Sequence, residues 1–173
     1  LAVIFPDDNR INSDLLEATS HTTETTQYRG TVEVLSVRQL IADTSRGASN
    51  TGLYLTTDEF TRMLNELYAN DYVLVDAETM ADMSEETFMT EVDLTIPVGK
   101  KTLILVLDTF DYNVATTYNY GLCTQLALDE QGYVCGQYVE PDGTLVSGRE
   151  LEAIGILDAF VEAHPDFSFD GAK

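Results

Sequence analysis

The sequence is poor in positive charge, and it contains no tryptophan. Its 9 Lys and Arg side chains stand against 30 Asp and Glu, which gives a formal net charge of -21. Such an excess repels phosphate backbones and anionic lipid headgroups within the Debye length of about 10 Å at 0.1 M salt. Nucleic acid and anionic membrane surfaces are therefore not expected partners.

Long apolar runs are also missing. A membrane-spanning helix needs roughly 18 or more consecutive apolar residues, and the longest apolar run here, Thr102 to Leu107, predicts a buried strand. We expect no membrane span. The chain begins with LAVIF, which is either the end of a processed segment or a first strand.

Cysteine and histidine are scarce as well. Cys123, Cys135, His21 and His164 are too few and too widely spaced for a disulfide framework or a structural zinc site. The two cysteines fall on neighbouring predicted strands, where a simple hairpin register puts them on opposite faces. This placement favours two buried thiols over a disulfide, which stays the alternative.

The first half of the chain predicts a polar arm followed by α/β structure. Residues 6–30 are polar and show little periodicity, so a polar N-terminal arm is predicted over 1–30, whereas 31–37 are β-branched and predict a strand. Thr56 and Glu59 form a capping box ahead of apolar residues at helical spacing, which predicts a helix over about 58–69.

The second half continues this alternation. We predict one or two short helices in 77–92, a central strand at 102–107 and a helix over about 149–163. Between the last two, residues 121–148 form three short segments joined by the tight turns DEQG and PDG, which predicts a β-meander. The pattern is that of one α/β domain with a partly parallel sheet.

Asp108 is the side chain best placed for chemistry. It directly follows the central strand, and the carboxyl ends of parallel strands face the ligand crevice of α/β folds. Its carboxylate is suited to act as a general base or metal ligand, although capping of the next turn explains it equally well. Asp111 and Tyr112 either line the same crevice or form an Asx turn, and the spacing favours the turn.

Five segments, in this order and spacing, resemble the polysaccharide deacetylase-like family of Gram-positive bacteria over roughly residues 35–173. The resemblance implies a partial or distorted (β/α) barrel over 31–173 with the meander as an insertion. It also implies a secreted or cell-surface protein whose family removes acetyl groups from cell-wall or surface glycans. The segments are LIAD, LTTDEFTRMLNELYANDYVLVD, PVGKKTLILVLDTFDYN, LALDEQGYV and ILDAFVEAHPDFSFDGAK.

The resemblance also implies roles for particular residues. In the family a divalent metal such as zinc, held by an aspartate and two histidines, activates water beside an aspartate base. Asp108 matches that base, but Thr109 stands where the metal aspartate is expected, and a hydroxyl is a far weaker ligand than a carboxylate. Gln39 falls near a histidine of related proteins, and His164 matches a structural histidine. The paired metal histidines would lie past Lys173, so the domain is expected to be incomplete at its C-terminus.

The departures from the family leave three functional hypotheses. The chain is part of a metal-dependent deacetylase, or it is a non-catalytic module that binds glycan or peptidoglycan-like carbohydrate. The third hypothesis is a structural subunit of an extracellular assembly, which self-associates or is covered by another chain. No cofactor is evident in the chain itself.

Overall fold

The computed structural model describes residues 24–82, 90–91 and 93–169. No helix among them is long and apolar enough to cross a membrane. LAVIF and His21 lie outside the described residues.

The strands are β1 (Thr25–Gln27), β2 (Glu33–Val37), β3 (Tyr72–Leu74), β4 (Ala81–Asp82), β5 (Thr90–Glu91), β6 (Thr95–Pro97), β7 (Lys101–Leu107), β8 (Gln125–Leu128), β9 (Val134–Val139) and β10 (Leu145–Gly148). The α-helices are α1 (Thr44–Gly47), α2 (Thr57–Ala69), α3 (Val114–Tyr120) and α4 (Ala153–Ala163).

A three-stranded parallel sheet occupies the centre of the structure. Its order is β2-β7-β3, with Val37 opposite Leu107 at the carboxyl end of the first pair. The near-continuous apolar sequence of β7 suits a strand that is flanked by a neighbour on each side and packed by side chains on both faces. Ser168 adds a parallel bridge to Leu74, which extends this sheet past β3.

Helix α2 begins where the sequence predicts. Thr56 Oγ1 accepts a hydrogen bond from the Glu59 backbone N–H, and the Glu59 carboxylate accepts one from the Thr56 N–H, so the predicted capping box is present. Phe60 and Leu64 project from the helix into the core and are fully buried. The helix prediction is confirmed. This helix could be predicted because its sequence signals lie within a few residues of one another.

Helix α4 packs beside α2 on the same face of the sheet. The predicted helix over 149–163 is interrupted, since Arg149–Leu151 forms a 3-10 turn and α4 starts only at Ala153. Glu152 has extended backbone angles between these two elements and caps α4 with its own carboxylate. The principal core between helices and sheet includes Val37, Leu40, Phe60, Leu64, Leu74, Leu103, Ile156, Leu157, Phe160, Val161 and Phe167.

A small antiparallel pair covers part of the opposite sheet face. β1 pairs with β6, and Ile96 packs with Val73 and Val75 in a second buried cluster. Strand β1 lies inside the range predicted as a polar arm. Local periodicity does not register this strand, because the threonine-rich β1 is held by pairing with a strand about seventy residues away.

Residues 125–148 form an antiparallel sheet of order β10-β9-β8. Gly132 and Gly143 take φ of 86° and 90° in its two turns, where a side chain would be strained. Asp129 and Asp142 accept backbone N–H bonds within these turns, as Asx residues do. The meander expected from the tight turns therefore corresponds to these three strands.

The segment predicted to form short helices is described only in part. Ala77–Met80 is a 3-10 turn, and β4 then pairs antiparallel with β5. The prediction of helix is wrong for 81–82 and 90–91, where backbone pairing prevails over the helical spacing of the methionines. The rest of the segment lies outside the described residues.

The described residues thus build a mixed α/β structure from small sheets. Within the ranges described, the strands do not close into a barrel. The barrel of deacetylase type therefore stays a prediction. The carboxyl edge of the parallel sheet is the part of the fold that positions the candidate site.

Candidate functional site

Asp108 lies at the carboxyl edge of the parallel sheet, immediately after β7. Its backbone N–H donates to Val37 O at 2.8 Å, which continues the β2-β7 ladder by one residue. The side chain is exposed. The carboxylate is therefore available to a ligand, while its backbone is held by the sheet.

Asp108 borders an open depression with a volume of about 280 Å³. This volume is just below the roughly 300–1,000 Å³ of typical small-molecule sites. One wall follows β2 and the other precedes α2, so two separate chain segments converge beside the carboxylate. The lining residues are Ser36, Val37, Arg38, Leu53, Tyr54, Leu55 and Asp108.

The depression combines charged, aromatic and aliphatic side chains. Arg38 and Asp108 are exposed, and no ion pair joins them among the described residues. Tyr54 is half-buried, and its ring lies 5.9 Å from that of Tyr120 in a tilted contact. Leu53 is 64% exposed, which leaves an apolar surface open on the same rim. A ligand with both hydroxyl groups and an apolar face would fit this lining.

Thr109 has a strained backbone next to Asp108. Its φ is 55°, in the left-handed region that a β-branched side chain rarely adopts. Asparagine and aspartate tolerate this region better, so the aspartate expected by family resemblance would suit the local backbone. Strain of this kind tends to persist at functional sites, where the surroundings hold it in place.

Asp111 and Tyr112 are not among the residues that line the depression. Asp111 Oδ1 accepts the Asn113 N–H at 3.1 Å, which is the Asx turn that the spacing favours. The Tyr112 hydroxyl is buried and has no hydrogen-bond partner among the described residues. Burial and the nearby groups Glu152 and Cys123 raise the pKa of Tyr112. A binding role for either residue stays a prediction.

Behind the site lies a buried polar cluster, which we define as Gln39, Tyr112, Cys123 and Glu152. Gln39 is 2% exposed, and its amide lies 3.4 Å from Cys123 O as a donor. Glu152 is fully buried. Its Oε1 accepts the N–H groups of Ala153 at 2.9 Å and Leu40 at 3.4 Å, whereas Oε2 has no partner within the described part of the chain.

Burial determines the protonation of this cluster. It raises the pKa of Glu152 from 4.5 to about 7, against the opposing effect of the two backbone N–H donors. It also raises the pKa of the Cys123 thiol, and the neighbouring Glu152 charge adds to that shift. A thiol kept protonated is a poor nucleophile.

Cys123 and Cys135 are both free and buried. This agrees with the two-thiol interpretation of the sequence. His164 caps the end of α4, where its ring stacks on Phe160 at 4.4 Å and lies 4.6 Å from the Tyr68 ring. These contacts account for His164 structurally, as the sequence predicts.

The described residues do not fit the divalent metal that family resemblance implies. No group of three or more His, Cys, Asp or Glu side chains is arranged to hold an ion within them. The strand end offers the Asp108 carboxylate and the Thr109 hydroxyl, and the latter is a weak ligand for a hard cation. His164 is engaged between aromatic rings, and Gln39 supplies an amide to the interior.

Arg38 and Tyr54 are site residues that the sequence reasoning missed. A signal for Arg38 was available, because it directly follows a predicted strand just as Asp108 does, and parallel strands end at one edge. Tyr54 lies in a breaker-rich loop, so its position depends on tertiary packing.

No protein-family model, curated protein or solved structure matches the chain.

Proposed function

We propose that this chain is a polysaccharide deacetylase-like domain that binds acetylated glycan in the depression beside Asp108. The observation that supports this proposal most directly is the exposed carboxylate of Asp108 at the end of a central parallel strand, beside a depression that the aromatic residue Tyr54 also lines. Carboxylate and aromatic groups are complementary to the hydroxyl groups and the apolar ring faces of sugars.

In this proposal Tyr54 packs against one face of a sugar ring, and Asp108 accepts hydrogen bonds from its hydroxyl or amide groups. The Asp108 backbone is held to Val37, so the carboxylate needs little ordering on binding. Leu53 and Leu55 line the depression and exclude water from the apolar side of the ligand.

Binding without hydrolysis is the form of the proposal that these residues favour. Acetyl hydrolysis in the family depends on a metal, whereas the described residues supply one carboxylate and one hydroxyl at the expected place. We therefore assign Asp108 to ligand binding, and its role as general base would require ligands that these residues do not provide. The glycan is expected to bind equally well with and without added zinc.

Calorimetric titration with N-acetylchitotetraose tests the proposal. Asp108→Ala and Tyr54→Ala should each weaken binding by roughly tenfold, the effect of losing one good polar or aromatic contact. Glu66→Ala removes an equal charge from an exposed position on α2 and should leave affinity unchanged. Absence of binding by the parent chain, or equal losses in all three variants, would refute the proposal. Acetate release that requires zinc and Asp108 would instead establish a catalytic domain.

A structural role in an extracellular assembly is the alternative, and one observation favours it. Val34 and Val106 are 63% and 41% exposed, and the register of β2 and β7 puts them on the same sheet face. Apolar groups so arranged can be covered by another copy of the chain. Sedimentation should then show a concentration-dependent dimer that Val34→Lys disrupts, whereas a monomer at all concentrations would remove this alternative.

A further inference from the structure

Arg38 differs from the other cations in the part of the chain that the structure describes. Each of the others makes a hydrogen bond, ion pair or aromatic contact, and Arg38 alone among them has no such partner. The paired side chains are Arg29, Arg46, Arg62, Lys100, Lys101 and Arg149. In a chain of net charge -21, an arginine without a carboxylate partner is unexpected.

The position of Arg38 makes this observation relevant to binding. It directly follows β2 and lines the depression that Asp108 borders. Its guanidinium carries five N–H donors and no acceptor, in a planar arrangement that matches the two oxygens of a carboxylate. The open depression therefore presents an unused anion-binding group beside a carboxylate.

We propose that Arg38 binds a carboxylate of the ligand, so that the depression selects glycans containing an acidic sugar. This inference rests on the proposed glycan-binding function and narrows its ligand class. The two charged side chains also orient the ligand, because the sugar carboxylate goes to Arg38 and its hydroxyl or amide N–H groups go to Asp108. A reversed orientation would bring two carboxylates together.

The selectivity must come from direct contact. The large negative charge of the protein opposes the approach of any anion, but this long-range effect is screened within about 10 Å at moderate salt. A bidentate guanidinium–carboxylate contact acts at hydrogen-bond distance, well inside that screening length. We expect acidic glycan to bind about tenfold more tightly than its neutral counterpart, the factor that one charge-assisted contact can supply.

A pair of matched oligosaccharides provides the test. A hyaluronan tetrasaccharide and N-acetylchitotetraose both contain N-acetylglucosamine, but only the first contains uronic acid carboxylates. Arg38→Gln should reduce hyaluronan affinity about tenfold and chitotetraose affinity far less, while Arg38→Lys should lose part of the preference because it keeps charge without the planar fork. Arg62→Gln is the control, since Arg62 is exposed on α2 and is not among the residues that line the depression.

The outcomes separate the two proposals. If neither sugar binds the parent chain, the glycan-binding function itself fails. If chitotetraose binds as tightly as hyaluronan, or if Arg38→Gln weakens both to the same extent, the acidic-sugar inference fails and neutral glycan binding stands. Because Arg38 is exposed, its variants should retain the parent circular dichroism spectrum, which is checked before each titration.

Discussion

The buried carboxylate of Glu152 makes the stability of this protein depend on pH. Its pKa is raised by burial from 4.5 to about 7, so the folded state holds its proton over a range where the unfolded chain releases it. At low pH the Glu152 carboxyl is protonated in both the folded and the unfolded state, so its burial does not lower the free energy of unfolding through its charge. As the pH rises through 4.5 towards 7, stability is progressively lost, and above about 7 the full penalty applies.

The magnitude follows from that difference. Each tenfold change in the acid dissociation constant corresponds to about 1.4 kcal/mol, so the full penalty is roughly 3 kcal/mol. Glu152→Gln removes the titration but keeps an oxygen to accept the Leu40 and Ala153 N–H groups. The free energy of unfolding of the variant minus that of the parent should therefore increase by about 2 to 3 kcal/mol from pH 5 to pH 8. This increase corresponds to about 4–12 °C in midpoint temperature.

Urea unfolding monitored by circular dichroism at intervals from pH 5 to pH 8 measures this difference. Lower pH is avoided because the isoelectric point is about 4.1, where association is promoted. Glu150→Gln, two residues away and exposed, is the matched control for the loss of one carboxylate. A difference between Glu152→Gln and the parent that stays constant, or that falls as pH rises, would show that burial does not control the Glu152 carboxyl.

Two further predictions concern the backbone. Thr109→Gly should raise the free energy of unfolding by about 1 kcal/mol in urea titration, because glycine adopts φ of 55° without strain. Thr109→Val keeps the β-branch and should not raise the free energy of unfolding. Equal effects of the two substitutions would contradict the proposed backbone strain at Thr109. Thr56→Ala should cost about 1 kcal/mol through loss of the α2 cap, and Thr57→Ala, one residue inside the helix, should cost clearly less in the same assay. If Thr56→Ala left the free energy of unfolding unchanged, water would fully replace the hydrogen bond that the Thr56 side chain makes at the start of α2.

The elements that local sequence could predict are those whose signals are close together in the chain. The capping box and apolar spacing of α2 and the tight turns of the meander are complete within short windows. β1 is different, because its three polar residues become a strand only by pairing with β6. Local periodicity has no access to that contact.

The candidate site divides in the same way. Asp108 was predicted because a buried strand precedes it, and the same reasoning applies to Arg38. Tyr54 and the burial of Glu152 depend on how separate segments pack, and a glutamate ahead of a helix looks like an ordinary exposed cap in the sequence. Sequence pattern therefore predicts the polar residues at the strand ends but not the position of Tyr54 in the depression or the burial of Glu152.

The hydrogen bond from Asp108 N–H to Val37 O has a consequence for the affinity of the proposed ligand binding. It ties the backbone next to Arg38 to the backbone of Asp108, so the guanidinium and carboxylate are carried by one rigid frame and not by independent loops. Lengthening the chain between Val37 and Arg38 by a single residue would keep both charges but shift their separation. The proposed recognition would then weaken although both charged groups were still present.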